Sequence, residues 1–110
     1  MKPIQTIYKG YKFRSRLEAR YAVWFDSLGQ PWEYEKEGYE LKGGFYLPDF
    51  WLPELGVWLE VKGEEPTEQE RKLCEELGEH TDRAVALVSG LPSRLRFSVL
   101  CGDLNDSGGG

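Results

Sequence analysis

Asp49, Glu60 and Lys62 combine the residue types and the spacing that could support chemistry. The two acids flank residues 53–56, a four-residue stretch with proline first and glycine last that is typical of a turn. A hairpin about this turn places Asp49 opposite Glu60, with their Cβ atoms about 4.5–5.5 Å apart. Like charges at that distance destabilise a sheet, so we expect a positive charge between them.

Lys62 can supply one positive charge, and a divalent cation can supply more. Mg²⁺, or Mn²⁺ in its place, suits such a pair, because Mg²⁺ prefers oxygen ligands and typically takes one or two carboxylates with waters and substrate phosphate oxygens. A metal that activates water, next to an ammonium group that stabilises the transition state, is what phosphodiester hydrolysis needs. The alternative is a pair of solvated carboxylates that Lys62 screens, worth under about 1 kcal/mol.

The same hairpin sorts its other side chains onto two faces, because successive strand residues point to opposite sides. The face opposite the acids is wholly apolar and is expected to lie in the core; it comprises Phe50, Leu52, Val57, Leu59 and Val61. Trp51 and Trp58 share the face of the acids. They either stack on bases or sugars or cover the sheet under a helix.

A helix over residues 15–28 must present its side chains to this hairpin. Apolar residues repeat there at helical spacing, and Gly29 and Pro31 end the pattern. Ser15 and Glu18 match the S-x-x-E capping box. Glu18 therefore has a structural explanation in addition to any role at a metal.

The remaining elements follow from turn residues and hydrophobic patterns. Thr67 and Glu70 repeat the capping box and begin a second helix, which we expect to end near Gly78. Strands are predicted over residues 4–8, 11–14, 32–41, 46–52, 57–62 and 84–88, with an additional edge strand at 95–100. This order predicts an α/β fold, a mixed sheet flanked by helices, in one domain over residues 1–104 with a disordered tail over 105–110.

The net charge of −5 hides an asymmetry. Residues 1–20 carry +5 and the remaining 90 residues carry −10, which predicts a basic edge on an acidic body. The basic residues nearest Glu18 are Lys12, Arg14, Arg16 and Arg20. They are candidates for nucleic-acid binding; the alternatives are salt bridges to the many acidic residues and simple solubility.

The composition favours a soluble, cytoplasmic protein. No stretch approaches the roughly 20 apolar residues of a membrane span, and the polar N-terminus lacks a signal-peptide apolar region. Cys74 and Cys101 lie far apart without a CxxC spacing, so we expect free thiols and no zinc site.

Pro48-Asp49 followed by Glu60-Val61-Lys62 resembles the signature of the PD-(D/E)XK nuclease superfamily. In that superfamily a helix with an inward glutamate precedes a hairpin bearing these motifs, and a helix and a strand follow. The order here is the same, and residues 8 to about 91 are similar to small phage- or prophage-encoded members.

This resemblance implies a restriction-endonuclease-like fold and a Mg²⁺- or Mn²⁺-dependent deoxyribonuclease. It implies metal ligation by Asp49, by Glu60, by the carbonyl of Val61 and, directly or through water, by Glu18. Lys62 would lie beside the attacking water. Glu18, Asp49, Glu60 and Lys62 are thus the predicted catalytic residues.

Two other functions stay open: a catalytically silent nucleic-acid-binding module with the same fold, and an interaction protein whose acidic surface binds a basic partner. The sequence does not distinguish DNA from RNA, or endonucleolytic from exonucleolytic cleavage. A short basic edge on an acidic body suggests weak intrinsic affinity, so we hypothesise that a homodimer or a partner protein provides targeting to DNA.

Overall fold

Two helices and eight strands make up residues 5–92, the part of the chain that the computed structural model describes. The helices are α1, Arg16–Ser27, and α2, Glu68–Thr81. The strands are β1 Thr6–Tyr8, β2 Tyr11–Phe13, β3 Glu33–Tyr34, β4 Tyr39–Leu41, β5 Gly44–Tyr46, β6 Phe50–Leu52, β7 Val57–Lys62 and β8 Val85–Ser89. The α/β class predicted from the sequence is confirmed.

The central sheet has four strands in the order β3, β6, β7, β8. β6 and β7 form the predicted antiparallel hairpin, with Phe50 opposite Leu59 and Trp51 opposite Trp58. β8 lies parallel to β7, and α2 makes the crossover that a parallel pair requires. The pairing with β6 on one side and with β8 on the other therefore fixes the register of β7, the strand that carries Glu60 and Lys62.

The central sheet is covered on both faces. The predicted apolar face of the hairpin packs against Ala22 and Phe25 of α1, as expected. On the opposite face, Trp58 packs with Leu77 of α2, and Trp51 lies against this cluster. The tryptophan pair thus covers the sheet under a helix. This agrees with the second of the two interpretations given above and not with stacking on bases or sugars.

α2 extends beyond its predicted end. It begins with the complete capping box of Thr67 and Glu70, as predicted, but continues past Gly78 to Thr81. Gly78 has a different role: a Cβ there would crowd the carbonyl oxygen of Arg83, at 3.2 Å. The glycine lets the chain pass close to the helix as it turns toward β8.

Two predicted strands are each divided in the structure. Residues 32–41 form β3, which pairs with β6, and β4, which pairs with β5 in a separate hairpin. Glu35 has a φ of 49°, a left-handed conformation that ends an extended strand. Residues 46–52 are interrupted before β6 at Pro48, which has no N–H to donate to a ladder.

The N-terminal hairpin of β1 and β2 packs beside α1. Cys74 is buried and forms no disulfide with the described residues. The predicted strand at 95–100, the tail at 105–110 and Cys101 lie outside the described residues. Neither described helix is long and apolar enough to cross a membrane.

Candidate active site

A cavity of about 390 Å³ lies between the start of α1 and the ends of β6 and β7. Glu18, Asp49, Glu60 and Lys62, the four predicted catalytic residues, all line it, and Val61 lines it too. They come from α1, from the bend before β6 and from β7. Three segments distant in sequence therefore meet at one opening, which we call the acidic cavity.

The carboxylates of Asp49 and Glu60 are both held by backbone N–H groups of the hairpin. The ladder begins with Phe50 opposite Leu59, so the predicted Asp49–Glu60 ladder pair is wrong: Asp49 lies in a bend one residue earlier. Its N–H nevertheless donates to Glu60 Oε1 at 3.1 Å, and the N–H of Val61 donates to Asp49 Oδ2 at 2.8 Å. The two carboxylates are thus fixed side by side.

The three acids of the cavity are buried, with Asp49 1%, Glu60 5% and Glu18 7% exposed. Burial, and then the charges of Glu60 and Glu18, raise the pKa of Asp49 well above its usual range. Burial also raises the pKa of Glu60, against the opposing effect of Lys62. Burial, the first cause of both shifts, disfavours the charged carboxylates, and at Asp49 the neighbouring negative charges add to it.

Lys62 contacts one of the two acids rather than both. Its Nζ lies 3.4 Å from Glu60 Oε2 and 3.2 Å from Glu70 Oε2. Burial lowers the pKa of Lys62, but the carboxylates of Glu60 and Glu70 outweigh that effect and the net change is upward. Lys62 is therefore a fixed, protonated ammonium group at the edge of the cavity.

Arg14 supplies the positive charge beside Asp49. Its Nη2 lies 2.9 Å from Asp49 Oδ1, and its Nε lies 2.9 Å from Glu35 Oε2. Sequence reasoning proposed a phosphate contact for Arg14, with salt bridges as the alternative; the structure records the salt bridges. Glu35 was missed altogether, and no local pattern marks it.

Glu18 satisfies only half of the predicted capping box. Ser15 Oγ accepts from the N–H of Glu18 at 3.1 Å, but the Glu18 carboxylate turns to the N–H of Arg14 and the hydroxyl of Tyr34. Both donate to Oε1, at 3.0 and 2.6 Å. No hydrogen bond from the described residues reaches Oε2, and Glu18 lines the acidic cavity.

Tyr46 is a second residue that sequence reasoning missed. Its hydroxyl lies 3.5 Å from Cys74 Sγ, and its interaction with the Glu60 carboxylate lowers the pKa of Glu60. Burial, and then the charge of Glu60, raise the pKa of Tyr46. The neutral phenol is therefore a neighbour that favours the charged form of Glu60.

The remaining predicted cations are free to meet a ligand. Lys12 on β2 and Arg16 and Arg20 on α1 are exposed. None of the three forms an ion pair with another described residue. For these side chains, the salt-bridge alternative has no support within residues 5–92.

The donor atoms of the acidic cavity fit Mg²⁺ or Mn²⁺. As the side chains stand, residues 5–92 contain no group of three His, Cys, Asp or Glu side chains that could hold a metal. Two carboxylates with waters are enough for Mg²⁺, however, and the oxygens of Asp49 and Glu60 keep acceptor capacity beyond the contacts above. Part of the upward pKa shift of Asp49 comes from the charges of Glu60 and Glu18, and those same charges attract a cation.

Fold and site together define the class of protein: an α/β domain with a buried acidic cluster flanked by a lysine and an arginine. Comparisons of the chain with protein-family models, with curated proteins and with solved structures give no match. The function therefore has to be inferred from the site's own residues.

Proposed function

We propose that this chain is a Mg²⁺- or Mn²⁺-dependent nuclease that hydrolyses DNA phosphodiester bonds. The observation that supports this most directly is the convergence of Glu18, Asp49, Glu60 and Lys62 on one cavity. Solvated surface acids would not be buried, whereas these three carboxylates are at most 7% exposed. Burying like charges together is costly unless a cation balances them.

The proposal includes a restriction-endonuclease-like fold of the PD-(D/E)XK type. The order helix, hairpin, helix and parallel strand agrees with the order in that superfamily. Pro48-Asp49 immediately precedes β6, and Glu60-Val61-Lys62 ends β7, an arrangement that agrees with the signature.

In this proposal Asp49 and Glu60 hold the ion, with Glu18 Oε2 as a direct or water-mediated ligand and the carbonyl of Val61 as a further one. When bound, the metal would lower the pKa of a coordinated water and neutralise charge on a phosphoryl oxygen. Lys62, protonated and held by Glu60 and Glu70, donates hydrogen bonds to the attacking water or to the charged transition state.

The exposed cations bind the substrate. Arg16 and Arg20 lie one helical turn apart on the same face of α1, and Lys12 lies on β2. Such side chains contact phosphates and set the position of the strand without reading its sequence. A homodimer or a targeting partner would add the affinity that this small basic edge lacks.

The test is cleavage of a panel of linear duplex, nicked, single-stranded and branched DNA, and of RNA, with Mn²⁺ or Mg²⁺. We expect the wild type to cleave and Asp49→Asn and Lys62→Ala to lose at least about 100-fold of the rate. Lys72→Ala, an exposed cation on α2, is the matched control and should cleave normally. A wild type that binds DNA without cleaving it would indicate the silent module; one that neither cleaves nor binds Mn²⁺ by calorimetry would overturn the proposal.

A further inference from the structure

A second cavity lies on the other side of Arg14 and Lys62. Its volume is about 450 Å³, within the range of about 300–1,000 Å³ that is typical of small-ligand sites. It shares Arg14, Glu60 and Lys62 with the acidic cavity. The rest of its lining is largely apolar and comprises Phe45, Tyr46, Leu47, Glu70 and Leu73.

Phe45 is the unusual member of this lining. It lies on β5 of the β4–β5 hairpin and is 62% exposed, a large apolar area to leave in water. Its ring is nevertheless held in place, because it lies so close to the backbone of Gly38 that a Cβ there would overlap it. The ring is thus a supported aromatic surface at the rim of the cavity.

The charged groups of the second cavity all lie at its boundary with the acidic cavity. Lys62 pairs there with Glu60 and Glu70, and Arg14 pairs with Asp49 and Glu35. A metal ion held by Asp49 and Glu60, as in the proposed function, would take over part of these pairs and leave Arg14 and Lys62 available to a phosphate at this boundary. A planar apolar group joined to that phosphate can then lie against the ring of Phe45.

We propose that the second cavity is a nucleobase subsite: it takes an unstacked base of single-stranded DNA, which stacks on Phe45 while its phosphate lies at Arg14 and Lys62. The identification of the ligand as a nucleic acid rests on the proposed function. Aromatic side chains bind bases of any sequence by stacking, because every base has a π-face. Bases inside a duplex are already stacked and paired, so the preferred substrate is a single strand or an unpaired region.

The test compares Phe45→Ala with Leu55→Ala, a matched control. Leu55 is also exposed and apolar, but it lies in the β6–β7 turn, at the opposite end of the hairpin from Asp49. Affinity is measured by fluorescence anisotropy with a short labelled oligothymidine and with the same backbone made of abasic residues. We expect Phe45→Ala to weaken binding of oligothymidine about 10-fold and binding of the abasic strand hardly at all. Phe45→Trp should bind oligothymidine at least as well as the wild type.

An equal loss on both strands, or a loss in Leu55→Ala as large as in Phe45→Ala, would overturn the base subsite. So would a lower molar mass of Phe45→Ala by light scattering, which would make Phe45 a contact between two copies of the chain. Cleavage with Mn²⁺ is measured in parallel. Phe45-dependent, base-dependent binding without cleavage would leave the subsite standing and overturn the hydrolysis alone.

Discussion

The guanidinium of Arg14 lies 2.9 Å from Oδ1 of Asp49, a carboxylate that is only 1% exposed. The Arg14 side chain is itself 54% exposed, so a cation that reaches in from solvent balances a charge that is buried in the protein. A divalent ion at Asp49 would take over part of that balance, and Arg14 would then be available to a phosphate. If the proposed function is right, this exchange of one cation for another would link stability, metal binding and substrate binding.

Replacing Arg14 should therefore destabilise the metal-free protein. We expect Arg14→Met to lower the free energy of unfolding by about 1–3 kcal/mol, because Asp49 stays buried without its partner. Urea denaturation measures this. Saturating Mn²⁺ should offset most of the loss, since a ligand that binds only the folded state stabilises it.

Arg16→Met is the control for Arg14, because Arg16 is exposed and has no ion pair among residues 5–92. Its effect should stay within about 0.5 kcal/mol. If Arg14→Met loses as much stability with Mn²⁺ as without it, a divalent ion does not replace Arg14 at Asp49 and the proposed exchange of cations is wrong.

Asp26 makes the stability depend on pH in the acidic range. It accepts hydrogen bonds from Tyr8 at 2.6 Å and from Trp32 at 2.9 Å, and Lys9 lies 3.0 Å away. These contacts, that of Tyr8 first, lower the pKa of Asp26 to about 2. Because this lies below the unfolded value of about 3.9, the contribution is present above about pH 4 and is lost as the pH falls toward 2.

We thus expect Asp26→Asn to lower the free energy of unfolding at pH 7 by about 1–2 kcal/mol, a figure that allows for the partial exposure of Asp26. The difference from the wild type should shrink below about pH 4. Urea denaturation across a pH series measures it. Glu75→Gln, a change at an exposed acid on α2, is the control and should show little difference throughout. A pH-independent deficit in Asp26→Asn would mean that the loss comes from packing rather than from charge.

Tyr46 should act on metal affinity through Glu60. Tyr46→Phe removes the hydroxyl that supports this carboxylate, and we expect Mn²⁺ to bind about 10-fold more weakly, as is usual when a ligand loses its hydrogen-bond support. Isothermal titration calorimetry measures the affinity. Tyr39→Phe is the control, because the Tyr39 hydroxyl donates to Glu37 and neither residue lines the acidic cavity. Unchanged affinity in Tyr46→Phe would show that Asp49 and Lys62 hold Glu60 without it.

Arg16 and Arg20 should determine the salt dependence of DNA binding. Each phosphate contact contributes about −0.9 to the slope of log K against log salt on duplex DNA, and about −0.7 on single strands. The double variant Arg16→Ala/Arg20→Ala should therefore have a slope shallower by about 1–2 in anisotropy titrations at several salt concentrations. Lys72→Ala should keep the wild-type slope; an equal change there would indicate a general charge effect.

Much of the fold was predictable because its signals are local. Helical periodicity indicated α1, alternation about the residue 53–56 turn gave the register of β6 and β7, and a capping box marked the start of α2. The errors arose where a distant contact overrides a local preference. α2 runs past Gly78 to Thr81 and packs against β8, and β3 and β4 separate because each pairs with a different strand.

The sequence by itself determined which acids, lysine and hairpin could form a site, since residue type and strand alternation are properties of neighbouring residues. Only the tertiary structure decided that Asp49 is buried, that Arg14 and Glu35 lie beside it, and that Tyr46 supports Glu60. Burial and charge pairing depend on atoms that are far apart along the chain. Such atoms become neighbours only when the sheet and its helices pack together.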